Sequence, residues 1–132
     1  MYRVRMAALL APAMLCAGVR LANAQDATWI GGAAGNNYGT TSNWSPVGAP
    51  PSGTATFSTS ASDAIAISYM ATVGAWNFTG TSAYTFAING TGSGIIFTGT
   101  GINIGGGSAS ITNNGTVEFE NSSTAGNASG RA

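Results

Sequence analysis

Four side chains of this 132-residue chain carry a carboxylate: Asp26, Asp63, Glu118 and Glu120. Paired acids flanking a bond are the machinery of glycoside hydrolysis, so the pair Glu118/Glu120 is the first chemistry to test. Two residues apart on a strand, they share an outward face, with carboxylates about 6–7 Å apart from the strand rise. Neither has an evident neighbour to perturb its pKa, and an exposed strand face is not a cleft. The pair reads as a solvated polar face that keeps a sheet edge soluble. Asp63 lies in a Ser/Ala stretch and predicts a local Asx-type turn bond. Asp26 sits just after a small-residue stretch near the start of the chain.

Other chemistries are excluded by residues that are missing. The chain has no His and no Lys, so neither a His-dependent triad nor a His-ligated zinc site can be built. Four Arg give no basic footprint for nucleic acid. Calcium-binding repeats place Asp at fixed positions, whereas the repeats here offer Gly and Asn, and neutral amides and hydroxyls bind calcium poorly. Gly90, Gly92 and Gly94 alternate and Gly105 to Gly107 run together. A phosphate loop also needs a following helix and a basic partner, so these glycines read as corners. No cofactor, metal or catalytic residue is expected, and the protein is read as a non-enzyme. Trp29 and Trp44 have two readings: packing that closes one end of the fold, or a carbohydrate-stacking platform. Packing is preferred, because isolated aromatics usually pack.

The elements that position these residues follow from composition. Charged residues make up only 6% of the chain, against about 25% in ordinary domains. Gly accounts for 20 of the 132 residues, about twice its usual share. With 44% apolar residues, the chain is not of the charged, disordered kind.

The first 24 residues read as an export leader. Arg3 and Arg5 give a positive start, Ala7 to Val19 is apolar, and Ala22-Asn23-Ala24 supplies small residues for cleavage after Ala24. The apolar run is too short to span a bilayer, which takes about 20 residues, and no second apolar segment exists. Cleavage removes the only Cys and three of the four Arg. Four acids then face Arg131 alone, a net charge of −3, and no disulfide can form.

From Gln25 onward no window has helical periodicity; short alternating runs dominate instead. Strands are predicted at Thr28–Ile30, Thr54–Ser58, Ala64–Tyr69, Ala75–Thr79, Tyr84–Ile88, Gly94–Thr98, Gly101–Ile104, Ala109–Thr112 and Thr116–Glu120. Large apolar residues recur at every second position, as in Ile65/Ile67, Trp76/Phe78, Phe86/Ile88 and Val117/Phe119, so one face turns inward. Gly- and Asn-rich corners separate the runs. Regular spacing of this kind fits a sandwich, a barrel or a β-solenoid. The solenoid fits best, because stacked Asn, Ser, Thr and Gly tolerate repetition that stacked charges would not. Coils of roughly 20–30 residues predict two to three coils in 74–132. The segment 25–73, with Pro46, Pro50, Pro51, Trp29 and Trp44, is read as a cap that covers the exposed end of the stack.

Taken in order, the stretches Ala27-Thr28-Trp29, Ser42-Asn43-Trp44-Ser45-Pro46, Pro51 to Phe57, Gly74-Ala75-Trp76-Asn77-Phe78 and Ile111 to Phe119 resemble the N-terminal passenger region of bacterial autotransporters with autotransporter-associated β-strand repeats. The resemblance implies a right-handed parallel β-helix with an N-terminal cap, exported to the cell surface and incomplete at the C-terminus. It also implies a downstream C-terminal barrel, which residues up to Ser129-Gly130-Arg131-Ala132 do not include. Surface or extracellular placement is expected for a full-length protein, and periplasmic placement for a truncated one. The implied role is a structural scaffold with adhesive contacts to a host surface, a neighbouring cell or a glycan. The alternative is a secreted carbohydrate-binding or carbohydrate-active β-helix module. Asn-x-Ser/Thr occurs at Asn43, Asn77, Asn89, Asn114, Asn121 and Asn127; because the resemblance points to bacteria, no glycan is assigned to these sites.

Overall fold

The structure is a computed structural model that describes residues 24–32, 35–60 and 62–126. The expected leader therefore lies outside the described residues, except for Ala24, which is exposed at their start. The described chain is an all-β, parallel β-solenoid of about four turns. Its strands are β1 (Ala27–Trp29), β2 (Trp44–Ser45), β3 (Thr54–Phe57), β4 (Ala64–Ile67), β5 (Met70–Phe78), β6 (Ala83–Ile88), β7 (Gly94–Ile104), β8 (Ser108–Asn113) and β9 (Thr116–Phe119), with one 3-10 turn at Thr41–Asn43.

Three ladders wrap one core. The first stacks β1, β3 and the second halves of β5 and β7, pairing Ala27 with Ala55, Ala55 with Trp76 and Trp76 with Ile102. Thr124 continues it by a bridge to Gly101. The second stacks Asn37, β4, β6 and β8. The third stacks the first halves of β5 and β7 with β9, pairing Val73 with Phe97 and Phe97 with Phe119. Every pairing between residues 74 and 120 is parallel; antiparallel hairpins there would have meant a sandwich or meander. The step from one coil to the next runs from 21 residues (Thr54 to Ala75) to 29 (Asn37 to Ala66).

Alternation along each strand builds the interior. Burial of β3 and β4 falls on Ala55, Phe57, Ile65 and Ile67, with Thr54, Thr56, Ala64 and Ala66 less covered. Side chains then stack from coil to coil: Phe57 lies on Phe78 with ring centroids 4.8 Å apart, and Phe97 on Phe119 at 4.9 Å. That distance is the spacing between neighbouring strands.

Several expectations change. The solenoid begins at β1, earlier than residue 74, so β1, β3 and β4 add coils to the two or three foreseen. β5 runs without a break through residues 73 and 74, and one buried cluster extends from Ala27 to Ile102. The runs Gly94–Thr98 and Gly101–Ile104 form one strand, β7, whose pairing with β5 passes from the third ladder to the first across an irregularity between Val73 and Ala75. Gly53, Gly74 and Gly99 stack at one corner of successive coils: a Cβ on Gly74 would lie 2.9 Å from the Gly53 carbonyl oxygen, and one on Gly99 2.7 Å from that of Gly74.

Gly101 adds a conformational demand. Its φ is +85°, and an added Cβ would collide with the Thr124 carbonyl. That carbonyl accepts a hydrogen bond from Ile102 N at 2.8 Å. Gly101→Ala is therefore expected to cost about 1–3 kcal/mol and to detach the rung that begins at Thr124. Amide exchange should rise at Ile102 and Thr124 while β3 and β4 stay protected; unchanged exchange at those two amides would contradict this.

Candidate functional site

The two tryptophans singled out from the sequence come together. Trp29, in β1, pairs antiparallel with Trp44, in β2, and their ring centroids are 5.1 Å apart, edge to face. Both are buried, at 1% and 0% exposure, so neither indole offers a face for a sugar to stack on. Their N–H groups are satisfied internally: Trp29 Nε1 donates to the Ser62 carbonyl (2.9 Å) and Trp44 Nε1 to the Tyr38 carbonyl (2.7 Å). A buried indole needs such a partner.

Two further members of this cluster come from the segment between β1 and β2. Tyr38 is fully buried, edge-on to Trp44 at 4.9 Å, and its hydroxyl accepts from Trp76 Nε1 at 3.4 Å. Asn43 is also fully buried. Its amide donates to the carbonyls of Gly35 (3.0 Å) and Asn37 (3.1 Å), pinning the loop beneath β2. Asn43 is thus inaccessible as a glycan acceptor. A lone aromatic at 38 and an Asn next to Trp44 were the only sequence hints of this packing.

The carboxylates do not converge. Asp26 precedes β1, Asp63 precedes β4, and Glu118 and Glu120 lie in and just past β9. Among the described residues, no three His, Cys, Asp or Glu side chains group together. Glu118 and Glu120 are exposed. Asp26 Oδ1 accepts from Thr54 N (2.6 Å) and ties the start of β3. The Asx turn expected at Asp63 is replaced: its Oδ1 is buried without a partner among the described residues, and Ser60 makes the local bond, its Oγ accepting from Ser62 N (3.2 Å). The ladder holds Asp63 through its main chain, its carbonyl accepting from Thr85 N (2.8 Å).

Three phenols are held above their ordinary pKa. Burial does this for Tyr38, Tyr69 and Tyr84, and the nearby Asp63 charge adds to it at Tyr84. Above the free tyrosine value of about 10, the unfolded chain has released protons that the fold still holds. Stability is therefore complete below pH ~10 and falls as the pH rises further. Denaturation midpoints should drop between pH 9 and 11, and Tyr38→Phe should flatten that drop; an equal slope in the variant would remove Tyr38 as its source.

An open cavity of about 420 Å³ lies beside this cluster, lined by Tyr38, Pro50, Pro51, Tyr69, Met70 and Thr72 among others, none of them charged. Among the described residues, no helix is long and apolar enough to cross a membrane. No protein-family model matches the chain, and no curated protein or solved structure does either.

Proposed function

We propose that this chain is a non-enzymatic structural segment of an autotransporter-type passenger. In this reading residues 1–24 export it, with cleavage after Ala24, and the coil is right-handed. β2, Trp29 and Trp44 act as the N-terminal cap, and the outer faces make adhesive contacts at the cell surface. A barrel encoded downstream carries the passenger across the outer membrane.

One observation supports the scaffold reading above the rest: polar columns repeat in register on the outside of the stack. Thr56, Asn77 and Asn103 occupy one column, and Asn103 Nδ2 donates to Asn77 Oδ1 at 3.1 Å. Such columns suit a long, chemically monotonous surface that binds by extent. The carbohydrate-binding alternative would need an aromatic platform, and Trp29 and Trp44 are buried.

The test is expression of the complete reading frame with its own leader. The expected result is a mature N-terminus at Gln25 and protease-accessible protein on intact cells. Retention inside the cell with residues 1–24 attached, or a downstream frame without further repeats and a barrel, would sink the passenger reading.

A further inference from the structure

The third ladder is one rung short at its N-terminal end. The first ladder begins with β1 and the second with Asn37, but among the described residues no strand pairs with Met70–Val73 on the side away from β7. The chain does pass this edge. Pro50 and Pro51 line the same cavity as Met70, Ala71 and Thr72. Proline has no N–H to give to a ladder. Pairing resumes only where Gly74 N donates to the carbonyls of Ser52 and Gly53 (3.0 and 2.8 Å). The space left between the prolines and the edge is the 420 Å³ cavity, within the range of about 300–1,000 Å³ typical of ligand sites.

The polarity of the edge is fixed by its neighbours. The Tyr69 carbonyl points toward β7, accepting from Gly94 N (3.0 Å), and Gly74 N points the opposite way. Backbone groups alternate sides along a strand, so Met70 and Thr72 turn their N–H and C=O toward the cavity. That edge continues the existing β9–β7–β5 ladder by one vacant position, with two donors and two acceptors in strand geometry. Tyr38, Tyr69, Pro50 and Pro51 line the same space. Because no charge lines the space, a charged ligand group would lose its hydration without a partner.

We propose that this cavity is a peptide-binding site. It takes an extended, uncharged segment as an added strand against Met70–Val73, and seats one apolar side chain among the tyrosines and the prolines. Main-chain bonds to an open edge supply affinity in such β-augmentation, and pockets for alternate side chains supply selectivity. This inference does not depend on export or on the passenger reading.

Amide-resolved NMR on the full chain tests it, with two probes: the blocked tetrapeptide acetyl-Val-Thr-Val-Thr-amide and its fully N-methylated twin. The expected result is saturable shifts at Met70 and Thr72 at or below about 1 mM, with slowed exchange at both amides. The methylated twin should bind at least about tenfold more weakly, since it has no strand donors. Thr72→Pro should weaken the first peptide by a similar factor with an unchanged melting curve, because only the cavity-facing N–H is removed. Should that variant misfold, Met70→Lys, at an exposed position, places a charge at the mouth and should show the same loss. Equal binding of both peptides, shifts confined to β8 and β9, or no saturable shift with the unmethylated peptide would each overturn the proposal.

Discussion

Trp44→Ala is expected to lower stability by about 3–5 kcal/mol, the usual cost of truncating a buried large aromatic. The side chain is edge-on to Trp29, Tyr38 and Phe57, with centroids 4.9–5.9 Å away. Its removal also leaves the Tyr38 carbonyl without its 2.7 Å donor. The loss should be local. In a coil stack each rung touches mainly its neighbours, so exchange protection should fall first in β1, β2 and β3 and persist in β6 and β7. Chemical denaturation and amide exchange read this directly. A glycan that binds the parent chain and is lost in a stably folded Trp44→Ala variant would instead revive the sugar-stacking reading.

Trp76→Ala is expected to cost as much and to spread further. Trp76 sits in the middle of the stack, its ring 4.1 Å from Phe86 in a stacked pair and edge-on to Phe57 and Phe97. It thereby joins residues of all three ladders, whereas Trp44 packs on Trp29, Tyr38 and Phe57. About 3–5 kcal/mol taken from a domain whose total is about 5–15 kcal/mol should lower the single unfolding transition of the whole stack and weaken exchange protection in all three ladders together. A variant with protection lost only near β5 would show the coils to be more independent than this packing implies.

The contrast also shows what a sequence can reveal of such a fold. Ile65/Ile67, Trp76/Phe78 and Phe86/Ile88 alternate cleanly, and each pair faces inward as its spacing predicts. A solenoid was legible from the even spacing and uncharged corners, while its parallel sense came only through the resemblance. The first half of β5 was not: Met70 and Thr72 outside and Ala71 and Val73 inside give little contrast in hydrophobicity, so the period is faint. β2 is two residues long and antiparallel, below the length at which alternation can be seen. Tyr38 and Asn43 lie outside the predicted strands, and their burial rests on contacts that no period announces: Tyr38 with Trp44 and Trp76, 6 and 38 residues away, and Asn43 with the carbonyls of Gly35 and Asn37. The cavity had no signal at all, since its walls come from separate passes of the chain.

The variable coil step bears on how such a chain can change length over time. Steps of 21 to 29 residues coexist in one stack, and the longest belong to the first coil, whose excursion contains β2. The corners between ladders absorb a few added or lost residues without moving any strand out of line. A larger insertion must either leave the stack entirely or supply a whole coil. Gene duplication in units of one coil would therefore lengthen the protein with its interior columns intact, whereas deleting a single residue inside a strand would put the rest of that strand's side chains on the wrong face. The height of the stack therefore grows by whole coils, while the residue count of each coil is free to vary at its corners.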